Sequence, residues 1–309
     1  MTEPGATGST VETTATGVPA DQRTAAAGLW SDAWRTLRRN PPFLVSAILI
    51  LFMVFIAAFP APVAGLFGHG DPRLCDIGSS GRPPSSGHPF GFDLQGCDLY
   101  ANVIYGARAS ISVGLLTAIL SFAAAGVLGV ISGFRGGWVD GVISRLMDVF
   151  FGFPFILGAI IILTAFPHRS VWTVALVLAL FSWPTGTRLM RSSVLGVRGN
   201  DYVLAARALG ARRRRIMLRH VFPNAVAPLL VFSTLLVGGS IAAEASLTFL
   251  GVGLQLPAIS WGLQLSVSRG YLEQYPHMLF FPALFLSLTV LSFILLGDAL
   301  RDALDPKMR

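Results

Sequence analysis

The sequence predicts an all-α membrane protein with six transmembrane helices, and three observations carry that expectation. Of its 309 residues 53% are hydrophobic, before 33 glycines are counted, and only 13% are charged, about half the ~25% of a soluble domain. Mean hydropathy is +0.65. Six apolar runs stand at Phe43–Phe59, Ala109–Ile131, Val149–Phe166, Val171–Leu189, Ala225–Leu250 and Phe280–Leu296, each roughly the length needed to cross a ~30 Å hydrocarbon layer.

Taken in order, residues 1–28 read as a disordered tail, because Thr, Ala, Gly and Ser there offer too little apolar surface to offset chain entropy. A secretory signal does not fit, since the first apolar run begins only at Phe43, just after Arg35, Arg38 and Arg39. Residues 29–108 carry the first span and a long external loop, and residues 109–309 carry the other five spans. With the amino end inside, 18 of the 23 Lys and Arg fall in the tail, the Ser132–Asp148 loop, the Met190–Asn224 loop with Arg188 at the adjoining span end, and the carboxyl end. This bias places both termini in the cytoplasm. Pro154 and Pro184 should kink the third and fourth spans, and Pro228 lies in the first turns of the fifth. Gly126, Gly129 and Gly133 fall near one face of the second span, as Gly238 and Gly239 do in the fifth, where small residues let helices approach.

Several functions are excluded or narrowed. The single lysine is Lys307, so the chain has no G-x-x-x-x-G-K-[ST] phosphate loop, binds no nucleotide cofactor through one, and performs no ATP hydrolysis by that route. Cys75 and Cys97 are too few for a four-cysteine zinc site, and no metal site is expected. In an oxidising exterior they could form a disulfide; a site shared with His69 and His88, or free thiols, are the alternatives. Glu244 is the one carboxylate well inside an apolar run, so it lines a substrate path or makes a structural hydrogen bond, with proton coupling third for want of a second ionisable group in a neighbouring span. Asp148 is expected to be solvated or paired with Arg145. The Arg212–Arg215 run reads as a solvated positive-inside stretch or as a contact to lipid headgroups or an acidic partner, with nucleic acid a poor third.

The most informative segment is Asp201-Tyr-Val-Leu-Ala-Ala-Arg-Ala-Leu-Gly-Ala, followed by Arg-Arg-Arg-Arg-Ile-Met-Leu-Arg-His-Val-Phe-Pro-Asn-Ala. Asp201 opens a helix, Ala205, Ala206 and Ala208 favour it, Gly210 stops it, and a second basic helix should end at Pro223. A positive-inside loop needs arginines, but it has no need of a ridge of small residues ahead of a glycine bend. Small side chains let another protein approach the backbone closely.

This stretch resembles the cytoplasmic "EAA" motif of binding-protein-dependent ABC importer permeases, in the form of the C-type subunits of dipeptide, oligopeptide and nickel permeases. Leu204 stands where the motif's glutamate often falls, and Phe222 where leucine is usual. His88-Pro-Phe-Gly-Phe-Asp-Leu-Gln-Gly-Cys-Asp before the second span, Glu244-Ala-Ser-Leu-Thr-Phe-Leu-Gly-Val-Gly at the end of the fifth, and Leu296-Gly-Asp-Ala-Leu-Arg-Asp-Ala-Leu-Asp-Pro are similar to the same family. The resemblance implies a type I ABC importer permease fold in a bacterial plasma membrane. Its cytoplasmic coupling helix would span about 201–210, with Asp201, Tyr202, Ala205, Ala206, Arg207, Ala208, Gly210 and Pro223 as the ATPase-coupling residues. It also implies partners: a second, B-type permease, two ABC ATPases carrying ATP and Mg, and an external solute-binding protein. The cargo would be di- or oligopeptides, with nickel or another small solute as the alternative. The rival from another class is a secondary transporter or channel without ATPases.

Overall fold

The computed structural model describes residues 34–68 and 70–304, so the tail expected over 1–28, His69 and Lys307 lie outside the described residues. Among the described residues there are helices and isolated bridges but no strand. Five of these helices are long and apolar enough to cross a membrane, and a bent pair makes a sixth if it acts as one span.

Helix α1 (Pro41–Ala58) starts at Asn40, whose side chain accepts from the Phe43 N–H, with prolines in the first turn where no donor is missed. It buries little beyond Ser46, Met53 and Ile56, and Ile48, Leu51, Phe52 and Phe55 point outward, as suits a helix wrapped in lipid. A short α2 (Pro60–Ala64) follows. Helix α3 (Leu99–Arg135) is capped by the Asp98 carboxylate, which accepts from the N–H groups of Tyr100 and Ala101. Its 37 residues rise about 55 Å, far more than the bilayer needs. The expected Ser132–Asp148 loop is therefore corrected: it is the last turn of α3 and most of α4 (Gly137–Phe151).

The third crossing, expected over Val149–Phe166 with a kink at Pro154, starts earlier and is broken outright. It is α4 joined to α5 (Phe155–Thr164) at an angle of 85°. Gly152 ends α4, Pro154 cannot donate, and the residue before a proline avoids the helical region, so the break falls at 152–154. Helix α6 (Val171–Val197) begins at Ser170, whose hydroxyl accepts from the Thr173 N–H, and runs through Pro184 without interruption, eight residues past the expected end at Leu189. Helices α7 (Asp201–Ala208), α8 (Arg213–Ile216), a π turn (Met217–Val221) and α9 (Phe222–Ala225) then lead into α10 (Ala227–Phe249), where Pro228 occupies the first turn. Helix α11 (Trp261–Ser268), absent from the sequence reading, is capped by Ser260 and plugs the bundle with the fully buried Trp261, whose Nε1 donates to the Val103 carbonyl at 2.9 Å. Helix α12 (Pro276–Leu304) closes the bundle.

The most extensive seam joins α3 to α6. A Cβ on Gly129 would lie 2.6 Å from the Met190 Cβ, and one on Gly133 2.8 Å from Val194, so these two glycines set the separation of the helices. Gly238 does the same for α10 against Val290 and Phe293 of α12, whereas Gly239 faces open space. Outside the crossings, a disulfide joins Cys75 to Cys97 across a sequence separation of 22. The surrounding loop is held by polar contacts: His88 Nδ1 to Asp98 Oδ2 at 2.7 Å, the Ser80 hydroxyl to the Leu94 carbonyl at 2.7 Å, and His277 Nε2 to the Phe92 carbonyl at 3.1 Å. Burial pushes the Asp93 carboxyl up, against the N–H groups of Cys97, Gln95 and Gly96 that pull it down. Replacing both cysteines with serine is expected to cost about 3 kcal/mol in the chain-entropy picture. A lower unfolding temperature of the purified protein, matched in the wild type by reductant, would register it.

Candidate functional site

Helix α7 is built to present itself. Asn200 leads in with extended backbone, Asp201 sits in the first turn where a carboxylate complements the helix dipole, and the end is a double turn closed by Gly210. There the Ala211 N–H donates to the Ala206 carbonyl at 3.1 Å and the Gly210 N–H to the Arg207 carbonyl at 3.0 Å. This bonding pattern needs a left-handed residue, and Gly210 has φ +75°.

One residue anchors the helix. Val203 is fully buried, packed in a cluster with Val194 of α6, Ile216 of α8 and Val221, and Ala206 and Ala211 lean on the same cluster. The opposite face is bare. Asp201, Leu204, Ala205, Ala208 and Leu209 recur at the spacing of one helix face and are all exposed. Tyr202 and Leu204 are 42% and 47% exposed, and Leu209 is 87% exposed. This leaves Leu204 and Leu209 as exposed apolar side chains on a short helix outside the candidate spans.

The sequence predicts a second basic helix ending at Pro223. That is corrected: Pro223 lies in the first turn of α9, and the π turn ahead of it, where the Phe222 N–H reaches back to the Met217 carbonyl, absorbs the missing donor. Pro223 itself is exposed.

The helix is tied stiffly to the bundle. Only residues 198–200 separate it from α6. Arg198 Nη1 donates to the Gly133 carbonyl at 2.8 Å, and Arg191 grips Asp140 of α4 with two bonds of 2.5 and 2.7 Å, while Ser132 also donates to Asp140. A bidentate arginine pair holds orientation as well as distance. Asp148 pairs with Arg188 at 3.4 Å and not with Arg145, because α4 continues through Asp148 beside α6 and sets the two side chains together.

Glu244 is buried within the chain and opens onto none of its surface grooves. It is fully buried, with hydroxyls donating from Ser110 (3.1 Å), Thr248 (2.9 Å) and Ser260 (3.2 Å). The carboxylate thereby fastens α10 to α3 and to the cap of α11, as a polar group in an apolar bundle must be satisfied internally. An open groove is found elsewhere. It encloses about 380 Å³ where α4 meets α5, α6 and α10, lined by Phe150, Phe153, Phe155, Phe181 and Phe232 with Ser182, Gly239 and Ser240. The sequence offered only the run of phenylalanines around Pro154 as a signal for it. Both cysteines are consumed in the disulfide, and among the described residues no group of three His, Cys, Asp or Glu is placed to hold a metal ion.

A multi-span helical bundle with an exposed short helix beyond its crossings is the architecture of a polytopic membrane protein. The chain belongs to the family of binding-protein-dependent transport system inner membrane components, whose profile matches residues 125–309. Residues 28–67 match the N-terminal TM domain of oligopeptide transport permease C. The chain is 37% identical over 281 residues to the oligopeptide transport system permease protein OppC of Bacillus subtilis, covering 91% of this chain and 90% of that one. It is 37% identical over 294 residues to the dipeptide transport system permease protein DppC of Alkalihalophilus pseudofirmus, 94% of each. Against the glutathione transport system permease protein GsiD of Pectobacterium atrosepticum it is 35% identical over 280 residues, covering 91% and 92%.

Proposed function

We infer that this chain forms half of the translocation path of an ATP-driven importer of di- or oligopeptides. The observation that carries the reading is the ridge on α7, exposed along one face and anchored by Val203 on the other. The names of the relatives favour peptide cargo, and glutathione is itself a short peptide. In this reading a homologous B-type permease supplies the other half of the path, and two ABC ATPases holding ATP and Mg seat the α7 ridge. A solute-binding protein delivers cargo on the opposite side, and both termini and α7 lie in the cytoplasm of a bacterium.

The mechanics follow from the ties around α7. Closure of the ATPases displaces α7, and α6, α4 and α3 follow as one body through Arg191–Asp140 and Arg198–Gly133. Such a body moves between two arrangements of the bundle, biased by nucleotide. The phenylalanine-lined groove is this chain's share of the path: apolar walls with sparse hydroxyls suit a cargo of varied side chains and a repeating backbone.

Uptake of a labelled peptide into proteoliposomes tests the reading. The assembled importer is expected to take it up only with ATP inside. Gly239→Trp, which projects into the groove from a position with nothing within 4 Å of a Cβ, is expected to reduce uptake to background while the ATPases still co-purify. Uptake that persists without any ATPase would favour the secondary transporter or channel.

A further inference from the structure

A second opening, of about 1020 Å³, lies between the end of α3, the first turn of α4 and α8. Its charged lining is four arginines, Arg135, Arg207, Arg213 and Arg214, with no carboxylate, and Trp138 borders it, 80% exposed. None of these four guanidiniums has a hydrogen bond or ion pair among the described residues. The contrast with their neighbours is informative: Arg188 and Arg191 pair with Asp148 and Asp140, and Arg198 is bonded to a carbonyl. Four like charges around one opening repel, and the arrangement is stabilised when a compact anion sits among them.

Depth identifies the anion. Arg135 lies four residues beyond Ile131, where the apolar run ends, or about 6 Å further along the helix. That is headgroup level, where tryptophan is enriched at the membrane boundary. Planar guanidiniums suit a phosphate, which they can bind with two parallel bonds. We propose that the groove bounded by Arg135, Trp138, Arg207, Arg213 and Arg214 binds the phosphate headgroup of an anionic phospholipid. Because Arg207 lies on α7, the bound lipid braces the base of that helix. The proposal does not depend on which cargo is carried.

The full chain, purified in mild detergent, is titrated with phosphatidylglycerol or phosphatidylcholine and followed by native mass spectrometry. Phosphatidylglycerol is expected to be retained in preference, and R135Q/R213Q/R214Q to weaken its binding by about tenfold or more. The control R212Q/R215Q removes charge from a neighbouring depression outside the groove and is expected to retain the lipid. Should the triple variant fail to assemble, R213Q/R214Q, which leaves α3 untouched, is read in the same way. Equal retention of phosphatidylcholine, or equal losses in both variant sets, overturns the proposal. Displacement of the lipid by millimolar inorganic phosphate overturns it in favour of a free phosphate site. A triple variant that keeps the lipid but loses ATPase subunits from the assembled importer overturns it in favour of protein docking.

Discussion

Replacing Leu209 with aspartate is expected to disconnect the permease from its ATPases while leaving the bundle folded. At 87% exposure the leucine makes almost no contact within the chain, so its loss should change folding stability by no more than about 0.5 kcal/mol. On an ATPase surface the same side chain would be buried, and a charge put there is left without a partner. A central apolar anchor of this kind carries about 2 kcal/mol or more, a factor of roughly thirty in affinity. The measurement is twofold: co-purification of the ATPases with the variant, and its thermal unfolding beside the wild type. An L209D protein that unfolds normally, keeps its ATPases and still transports would remove α7 from the coupling role. Val203→Asp is the informative contrast, since a charge in the cluster of Val194, Ile216 and Val221 damages the fold itself.

Gly129→Leu is expected to open the seam between α3 and α6. The added Cβ would meet the Met190 Cβ at 2.6 Å and the Thr187 carbonyl at 2.9 Å, and neither belongs to the free end of a flexible side chain. Overpacking of this sort costs about 1–3 kcal/mol or more, here across the pairing that carries α6 and therefore α7. The yield of monodisperse protein in mild detergent should fall and its unfolding temperature drop. Gly126→Ala, set beside Gly129→Ala, is the control on the same helix, because a Cβ at Gly126 would lie 3.8 Å from Leu229 and Phe222. Equal behaviour of the two variants would mean that close approach at Gly129 does not set the helix separation.

Much of the site was legible along the chain. A three-alanine helix closed by Gly210 is a local pattern, its turn is a local structure, and the left-handed glycine appears where the pattern requires it. The exposure of Leu204 and Leu209 was not legible, since a leucine in sequence reads as core. What it touches depends on Val203 having already taken the inward side of α7. Glu244 shows the same limit from the opposite direction. Chain order marked it as an unusual carboxylate, but the fates left open are separated by Ser110, 134 positions away, and by Ser260 at the cap of a helix that was not foreseen. Asp148 was matched to its neighbour Arg145 and found Arg188 instead, across 40 positions.

By itself the sequence determined the six apolar runs, the cation bias between their ends, the stop at Gly210 and the lack of a nucleotide loop. Each is a sum over neighbouring residues, so no knowledge of the fold is needed to compute it. Tertiary structure alone decided which arginine pairs with Asp148, which buried hydroxyls satisfy Glu244, and which face of α7 is left bare. Those depend on residues far apart in the chain, because a polar group removed from water must find its partner wherever packing has placed one.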